Sequence, residues 1–418
     1  MFDAELYLRL IGERSLAEGS NQQHHGPTPL SSAAQALVVA GVIEPATARG
    51  VLSDYLLARG LRGDQMAMWV IESEHEDEER MPALEPLTPP RAVTCDREIE
   101  TPTGTTRVHL VSLSERETVV AVTLRFASTS PRMRHGRSGI LYGGRSPGLV
   151  TLADDRGTKR QAHFSGGGGE HQWTGHFTAQ PGLATDTAYI ELDGERIDLL
   201  GEVPAAEVWI EDLPDPDPVL QHLWAGLTQD DLHEETPLEP AIEALVAAGV
   251  LADDHPELAD IRAVASARQG VVYHGSSREA KKLPEPWRSI YAPSRRKGPT
   301  GTIAVNAATP LFDGTSVAAT SLKSDEHGWE LSVEVAPDHS VSPFRMGLDD
   351  SAGLTWWARD ERGHQFLGAV AGWNGGDGTR RGEIVFEGGL DRKSTYVDVM
   401  PTAPTQRAVI RIPLEWSK

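Results

Sequence analysis

The segment TPLSSAAQALVVAGVIE at residues 28–44 returns as TPLEPAIEALVAAGVLA at residues 236–252, and this internal copy constrains the fold more than any other feature. At an offset of 208 (Thr28 to Thr236), ten of seventeen positions are identical; unrelated segments would share about one, so repeats are the first thing to resolve. Ala33, Ala36, Leu37 and Ala40 recur at i, i+3, i+4, i+7, the spacing of one helical face. Gly41 and Gly249 stand where a helix closes through a left-handed residue, with Val42 and Val250 packing back on the last turn. A second helix is expected from Pro45 and from about Pro256, proline being accepted at a first helical position. A short apolar helix precedes each copy, FDAELYLRLIGE and PVLQHLWAGL.

The copying continues downstream. GLVTLADDRGTKRQAHF (residues 148–164) corresponds to GLTWWARDERGHQFLGAV (residues 353–370), with Asp154/Asp360, Arg156/Arg362 and Gly157/Gly363 at an offset of 206; TAYIEL and STYVDV follow at 207. Runs such as VVAVTLRF, WELSVEV and EIVFE have the alternation of strands, and DDRG and DERG read as hairpin turns closing on glycine. Strands at short spacing without interleaved helices predict an antiparallel sandwich of immunoglobulin-like size. The predicted fold is therefore α+β, a tandem duplication in which each half is a small helical module followed by an immunoglobulin-like β-sandwich. Its divisions are a helical module at 1–70, an acidic proline-rich linker at 71–100, a sandwich at 101–213, a second module at 214–268, a basic proline-rich linker at 269–298 and a second sandwich at 299–418. Residues 211–218 read as a stiff junction between halves. Trp356 and Trp357 are adjacent on a strand, so one of them must face outward or toward an interface.

The run DDRGTKRQAHFSGGGGEHQW, a D-D-x-G-T turn, a strand, a glycine hairpin and a Trp-x-Gly strand, resembles β-sandwich domains of uncharacterised actinobacterial proteins. The resemblance covers about residues 108–199 and is weaker in the second copy, which has DERGH and no tryptophan at the matching place. It implies a fold and carries no activity.

Composition bounds the function classes. Asp plus Glu number 61 against 39 Lys plus Arg, a formal net charge of −22. Such a charge repels nucleic acid and anionic lipid at long range, which argues against a non-specific DNA coat. A single cysteine, Cys95, leaves no internal disulfide and no four-thiolate zinc site. The first residues lack a basic start and an apolar core, so no signal peptide is expected, and no run reaches the ~18 apolar residues of a membrane span. A cytoplasmic protein is expected.

The duplication supplies an internal control: a feature in both copies is most simply structural. The glycine-rich breaks SGGGGE and NGGDG occur in both, lack the Lys-Ser/Thr of a phosphate loop, and read as hairpin tips. In HFSGGGGEHQWTGHF, a hairpin folded about Gly169–Glu170 sets His163 opposite His176; with His171 or Glu170 they would form a three-ligand site of the open zinc type. The matching positions in the second copy are Val370 and Glu383, so such a site would belong to one half only. Solvent-facing histidines are the plainer reading. The acidic stretch at residues 72–79 lacks the spacing of a calcium loop. A second candidate is the basic segment with Arg278, Lys281, Lys282, Trp287, Arg288, Tyr291, Arg295, Arg296 and Lys297, where aromatic residues among cations suit RNA or phosphate; contact between domains or with a partner is favoured by the overall charge. RMRHGR at residues 132–137 is a smaller basic loop. No nucleophile elbow, Rossmann fingerprint or flanked catalytic cysteine is found.

These features predict a non-enzymatic intracellular adaptor or assembly protein with two homologous halves, no cofactor, and another protein as partner, membrane being excluded and nucleic acid disfavoured. The rival readings are a metal-dependent hydrolase on the histidine cluster and a nucleic-acid-linked regulator acting through residues 278–297.

Overall fold

The computed structural model describes residues 2–17, 29–58, 86–101, 104–126, 149–168, 172–199, 206–214, 217–228, 238–274, 280–291, 297–337, 354–376 and 379–416. Three helices open the chain: α1 (Ala4–Ala17), α2 (Pro29–Val39) and α3 (Pro45–Ala58). After β9 (Glu207–Asp212), the last strand before the second β region, come α4 (Pro218–Thr228), α5 (Leu238–Ala247), α6 (Pro256–His274) and the short α7 (Trp287–Tyr291). Both repeated helices end as the sequence requires. Gly41 (φ 66°) and Gly249 (φ 72°) are left-handed. Val42 N donates to Leu37 O and Gly41 N to Val38 O, both at 2.9 Å; Val250 N to Leu245 O and Gly249 N to Val246 O repeat the pattern at 3.0 Å. These are Schellman closures, which satisfy carbonyls the helix leaves without partners.

The two copies of the repeated helix pack on one another, α2 against α5. Their seating is reciprocal. Ala36, on α2, lies in the apolar cluster of the second helical group, and Ala244, its match at 208, lies in that of the first. Ala40 and Ala248 exchange in the same manner. Small side chains at these points allow two helices to approach closely, and a contact in which residue i of one element meets the site vacated by residue i of the other is the pattern of a two-fold interface.

Eight strands form the first sheet: β1 (Arg91–Thr101), β2 (Gly104–Leu113), β3 (Thr118–Phe126), β4 (Val150–Asp154), β5 (Lys159–Gly168), β6 (Gln172–Ala179), β7 (Tyr189–Leu192) and β8 (Glu195–Asp198). Its order is β1-β2-β3-β6-β5-β4-β7-β8, antiparallel throughout. The second sheet contains β9 (Glu207–Asp212), β10 (Gly301–Ala308), β11 (Ser316–Ser324), β12 (Gly328–Ala336), β13 (Thr355–Asp360), β14 (Gln365–Gly376), β15 (Thr379–Glu387), β16 (Tyr396–Thr402) and β17 (Gln406–Pro413). With β10–β17 laid on β1–β8 the strand order is the same, and β9 is added outside β17. Each sheet curls around its own core. Val108, Val122, Leu152, Phe177, Ile190 and Ile197 fill the first; Phe312, Trp329, Trp356, Phe386 and Ile410 fill the second. In the first sheet the far edges meet at Arg91, whose guanidinium donates to the carbonyls of Thr185 (3.0 Å), Thr187 (2.6 Å) and Leu199 (3.0 Å).

The architecture is thus antiparallel β with a few helices, α+β overall, with three departures from expectation. An immunoglobulin-like domain divides its strands between two separately paired sheets, whereas here the strands of each unit pair in one continuous sheet. The segment expected to be an acidic linker contains β1 from Arg91 onward; a bulge between Thr94 and Arg97, with Asp96 at φ 41°, interrupts its alternation. The end of the segment assigned to the first sandwich is β9, which pairs across to the second sheet, Trp209 against Val409.

The turns expected at DDRG and DERG form alike. Asp154 Oδ1 accepts from Arg156 N (3.0 Å) and Thr158 N (2.7 Å), and Gly157 is at φ 80°; Asp360 Oδ1 accepts from Arg362 N and His364 N (both 3.0 Å), and Gly363 is at φ 82°. A carboxylate cap on the turn amides plus a left-handed glycine defines this hairpin chemically. In the glycine-rich hairpin, Gly166 faces Gly175. A Cβ on Gly175 would stand 2.7 Å from the Gly166 Cα and 2.8 Å from Phe164 Cζ, so the Phe164 ring lies over a strand pair bared for it.

The two sheets touch through Ala92, Leu110 and Ala304. Asn306 reaches across, accepting from Ala92 N (2.6 Å) and donating to Ala92 O (3.3 Å). Among the described residues no helix is long and apolar enough to cross a membrane.

Candidate functional site

The histidine cluster does not assemble as predicted. His163 pairs with Thr178, and His176 with Ser165. The two residues share one face of the sheet but stand diagonal to each other, farther apart than the directly opposed pair that was expected. His163 is exposed, His176 is partly covered, and His171 lies outside the described residues. Burial holds His176 below the usual imidazole range, which favours a neutral ring. Among the described residues no group of three or more His, Cys, Asp or Glu side chains is placed to hold a metal ion.

The basic segment is not a linker. Ala280–Lys282 form a 3-10 turn and Trp287–Tyr291 a short helix, α7. Ala280, Leu283 and Trp287 are buried with α4, α5 and α6. Trp287 is 8% exposed. It stacks on Trp224 of α4 (5.2 Å, 10°) and on Tyr291 (6.1 Å, 9°), and meets Trp357 of β13 edge-on at 5.4 Å. Trp287 therefore has no free face for a nucleobase, and the stacking surface expected for RNA is spent inside the protein. Its apolar positions 283, 287 and 290 have helical spacing; surrounding prolines and cations concealed them in the sequence. Arg288 pairs with Glu285 (2.6 Å) and Lys297 with Glu326 (2.7 Å). Lys281 and Lys282 are exposed, while Arg278, Arg295 and Arg296, like the RMRHGR loop and the acidic stretch at 72–79, lie outside the described residues. The tryptophan dyad resolves as required: Trp356 faces the barrel core at 2% exposure, and Trp357 faces the helices.

Sequence reasoning did not find a charged seam between the sheets. Glu117, in the β2–β3 turn, pairs with Arg381 of β15 and accepts from Gln180 Nε2 (3.4 Å). Glu334 of β12 accepts from Arg116 (3.2 Å) and lies 3.5 Å from Arg381. Burial pushes the Glu117 carboxyl up, and Arg381 with Gln180 pulls it partly back. Nearby, His109 Nε2 contacts Thr123 Oγ1 at 2.7 Å; burial and the Arg107 charge hold its ring below the usual range. Cys95 is half-buried, its thiol pushed up to about 11, a protonated and unreactive state at neutral pH. Among the described residues, the seam joins the two sheets and sets no nucleophile beside a base.

A second feature without a sequence signal is apolar and open. On α1, Leu6 and Leu10 are 55% and 54% exposed, one turn apart on the same side; Leu57 of α3 is 54% exposed. Arg9, between them, is held by Glu5 (3.0 Å) and by Asp54 of α3 (2.9 Å).

No protein-family model matches this chain, and no curated protein matches it. Among solved structures, the crystal structure of a conserved domain protein from Bacillus anthracis aligns over 78% of this chain and 80% of its own at 9% identity, with a TM-score of 0.21. A superposition that loose carries no argument about fold or activity.

Proposed function

We propose that the protein is a non-enzymatic binding scaffold made by duplication of one α+β unit, acting inside the cell as a single two-lobed body. Duplication is supported by the shared strand order, by the repeated helix closures and aspartate-capped turns, and by sequence identity at offsets of 206–208. The observation that carries the scaffold reading is the reciprocal seating of α2 and α5, Ala36 and Ala40 in one cluster and Ala244 and Ala248 in the other. Together with the Asn306–Ala92 clasp and the Glu117–Arg381 pair, it fixes the two β units relative to each other. A fixed pair of modules engages a partner with less ordering cost than two free ones.

Affinity capture of the tagged full chain from its native cell, followed by cross-linking, tests the reading. A macromolecular partner in about one-to-one amount is expected, with cross-links on exposed faces of both halves. Recovery of the protein alone, or cross-links confined to one half, would remove the scaffold reading.

A further inference from the structure

The contact between α2 and α5 joins two stretches of nearly one sequence, and its chemistry is close to the same from either side. Ala33/Ala241, Ala36/Ala244, Leu37/Leu245 and Ala40/Ala248 are identical at an offset of 208. On each helix these residues face two ways. Ala33 and Leu37 lie in the cluster of their own group, with Leu8, Leu30 and Leu52. Ala36 and Ala40 turn into the cluster of the other group, with Leu223, Leu245 and Ile261. α5 repeats the division: Ala241 and Leu245 serve their own cluster, while Ala244 and Ala248 enter the first.

Each group therefore offers its neighbour an alanine ridge and a seat for one. The seat that the first group gives to Ala244 and Ala248 would take Ala36 and Ala40 of another copy with no change of side-chain volume, the condition that a packed core sets. In a pair of α2 helices related by a two-fold axis both seats fill at once, because an isologous contact is self-complementary. Among the described residues, Ala244 and Ala248 are the only apolar side chains that the first cluster takes from outside its own group. Such a pair would replace all that α5 supplies there.

Charge decides between the two possible like pairs. α2 has no ionisable side chain. α5 has Glu239 and Glu243. Glu239 is tied to Arg262 at 3.0 Å. Glu243, matched by Gln35 in α2, acts across the contact on α1, where burial and then this carboxylate push the Tyr7 hydroxyl up. Two α5 helices would bring two such carboxylates to one contact, and like charges at short range oppose it. Two α2 helices bring none. Within one chain α2 and α5 meet at an effective concentration in about the millimolar range, so the contact in cis prevails while the chain is dilute and intact.

We propose that α2 is a self-docking face held closed by α5, and that the partner it fits is α2 of a second copy of this chain. This rests on the scaffold reading and deepens it, naming one partner and the contact that withholds it.

The test uses the full chain with the α5 ridge disabled, Ala244→Glu with Ala248→Glu. Neither residue belongs to the cluster of its own group, so each group keeps its own apolar residues. Size-exclusion chromatography with light scattering reads the mass. The wild type should run as one chain up to about 100 µM, well below the effective concentration in cis. The variant should form a two-chain particle with a Kd of about 1–50 µM. Adding Ala36→Glu should return it to one chain with the same far-ultraviolet circular dichroism. Ala244→Leu displaces α2 by size instead of charge and should give the same dimer. Four results overturn the proposal: a double variant that stays one chain at about 100 µM, association that survives Ala36→Glu, a wild type already paired before any substitution, or loss of the helical signal in both α5 variants, which would make the contact core and not a face. A foreign partner captured in one-to-one amount, beside a one-chain double variant, leaves the scaffold reading standing and this face refuted; a two-chain double variant with no foreign partner does the reverse.

Discussion

His222, on α4 between the buried Leu220 and Leu223, should set an acid limit on this helical group. Burial lowers its pKa from 6.5 to about 4, and no charge is involved. The neutral ring is what the fold accommodates. Between these two pKa values the unfolded chain binds a proton that the folded chain refuses. Stability therefore rises with pH across the window, and it is lost as pH falls below 6.5, fully so below about 4. At ~1.36 kcal/mol per unit, the full loss is about 3 kcal/mol, and about 2 kcal/mol of it is reached by pH ~5. The perturbation is His222→Gln, neutral at every pH. Urea unfolding of both proteins at pH ~7.5 and ~5, followed by far-ultraviolet circular dichroism, isolates the residue, because His109, His176 and the carboxylates contribute equally to both. The wild type should lose about 2 kcal/mol more than the variant on acidification. Equal losses, within about 0.5 kcal/mol, would refute the assignment of His222 as a ring kept neutral by burial.

Further outcomes follow from the same packing. Ala36→Leu and Ala244→Leu should each destabilise by about 1–3 kcal/mol through overpacking, and a double-mutant cycle should show coupling above ~0.5 kcal/mol because the two sites face one helix contact; additive effects would mean that α2 and α5 do not seat reciprocally. Gly175→Ala should be among the most costly single-methyl additions, since its Cβ falls on Gly166 and Phe164, whereas Gly50→Ala, open on all sides within α3, should stabilise by up to ~1 kcal/mol; thermal melts that rank them otherwise would contradict the hairpin packing. Trp287→Ala should cost about 3–5 kcal/mol and leave any residual affinity for single-stranded RNA unchanged in a polarisation assay, the opposite of what a stacking site for bases would give.

The legible parts were those set by local chemistry. Gly41, Gly157, Gly249 and Gly363 announce left-handed closures because few other residues tolerate them, and each stands where the repeat placed it. What failed was long-range or a matter of register. The His163–His176 pair was expected from a hairpin centre one residue too early, and in an antiparallel pair that moves every partner by two positions, so Thr178 replaces His176 opposite His163. Strand β9 could not be assigned, because nothing within EVWIED states that Trp209 will lie against Val409. The segment at 280–291 reads as a linker by its prolines and cations; only the seat offered by Trp224 and Trp357 makes its apolar residues a core.

Differences between the halves are not scattered. Where the backbone has one solution, at the helix closures and the aspartate turns, both halves have it. Where a face meets another element they differ: Trp357 and Leu367 against Thr151 and Gln161, and buried Arg380 in the second half where the first has Trp173, stacked on Phe164 at 6.0 Å.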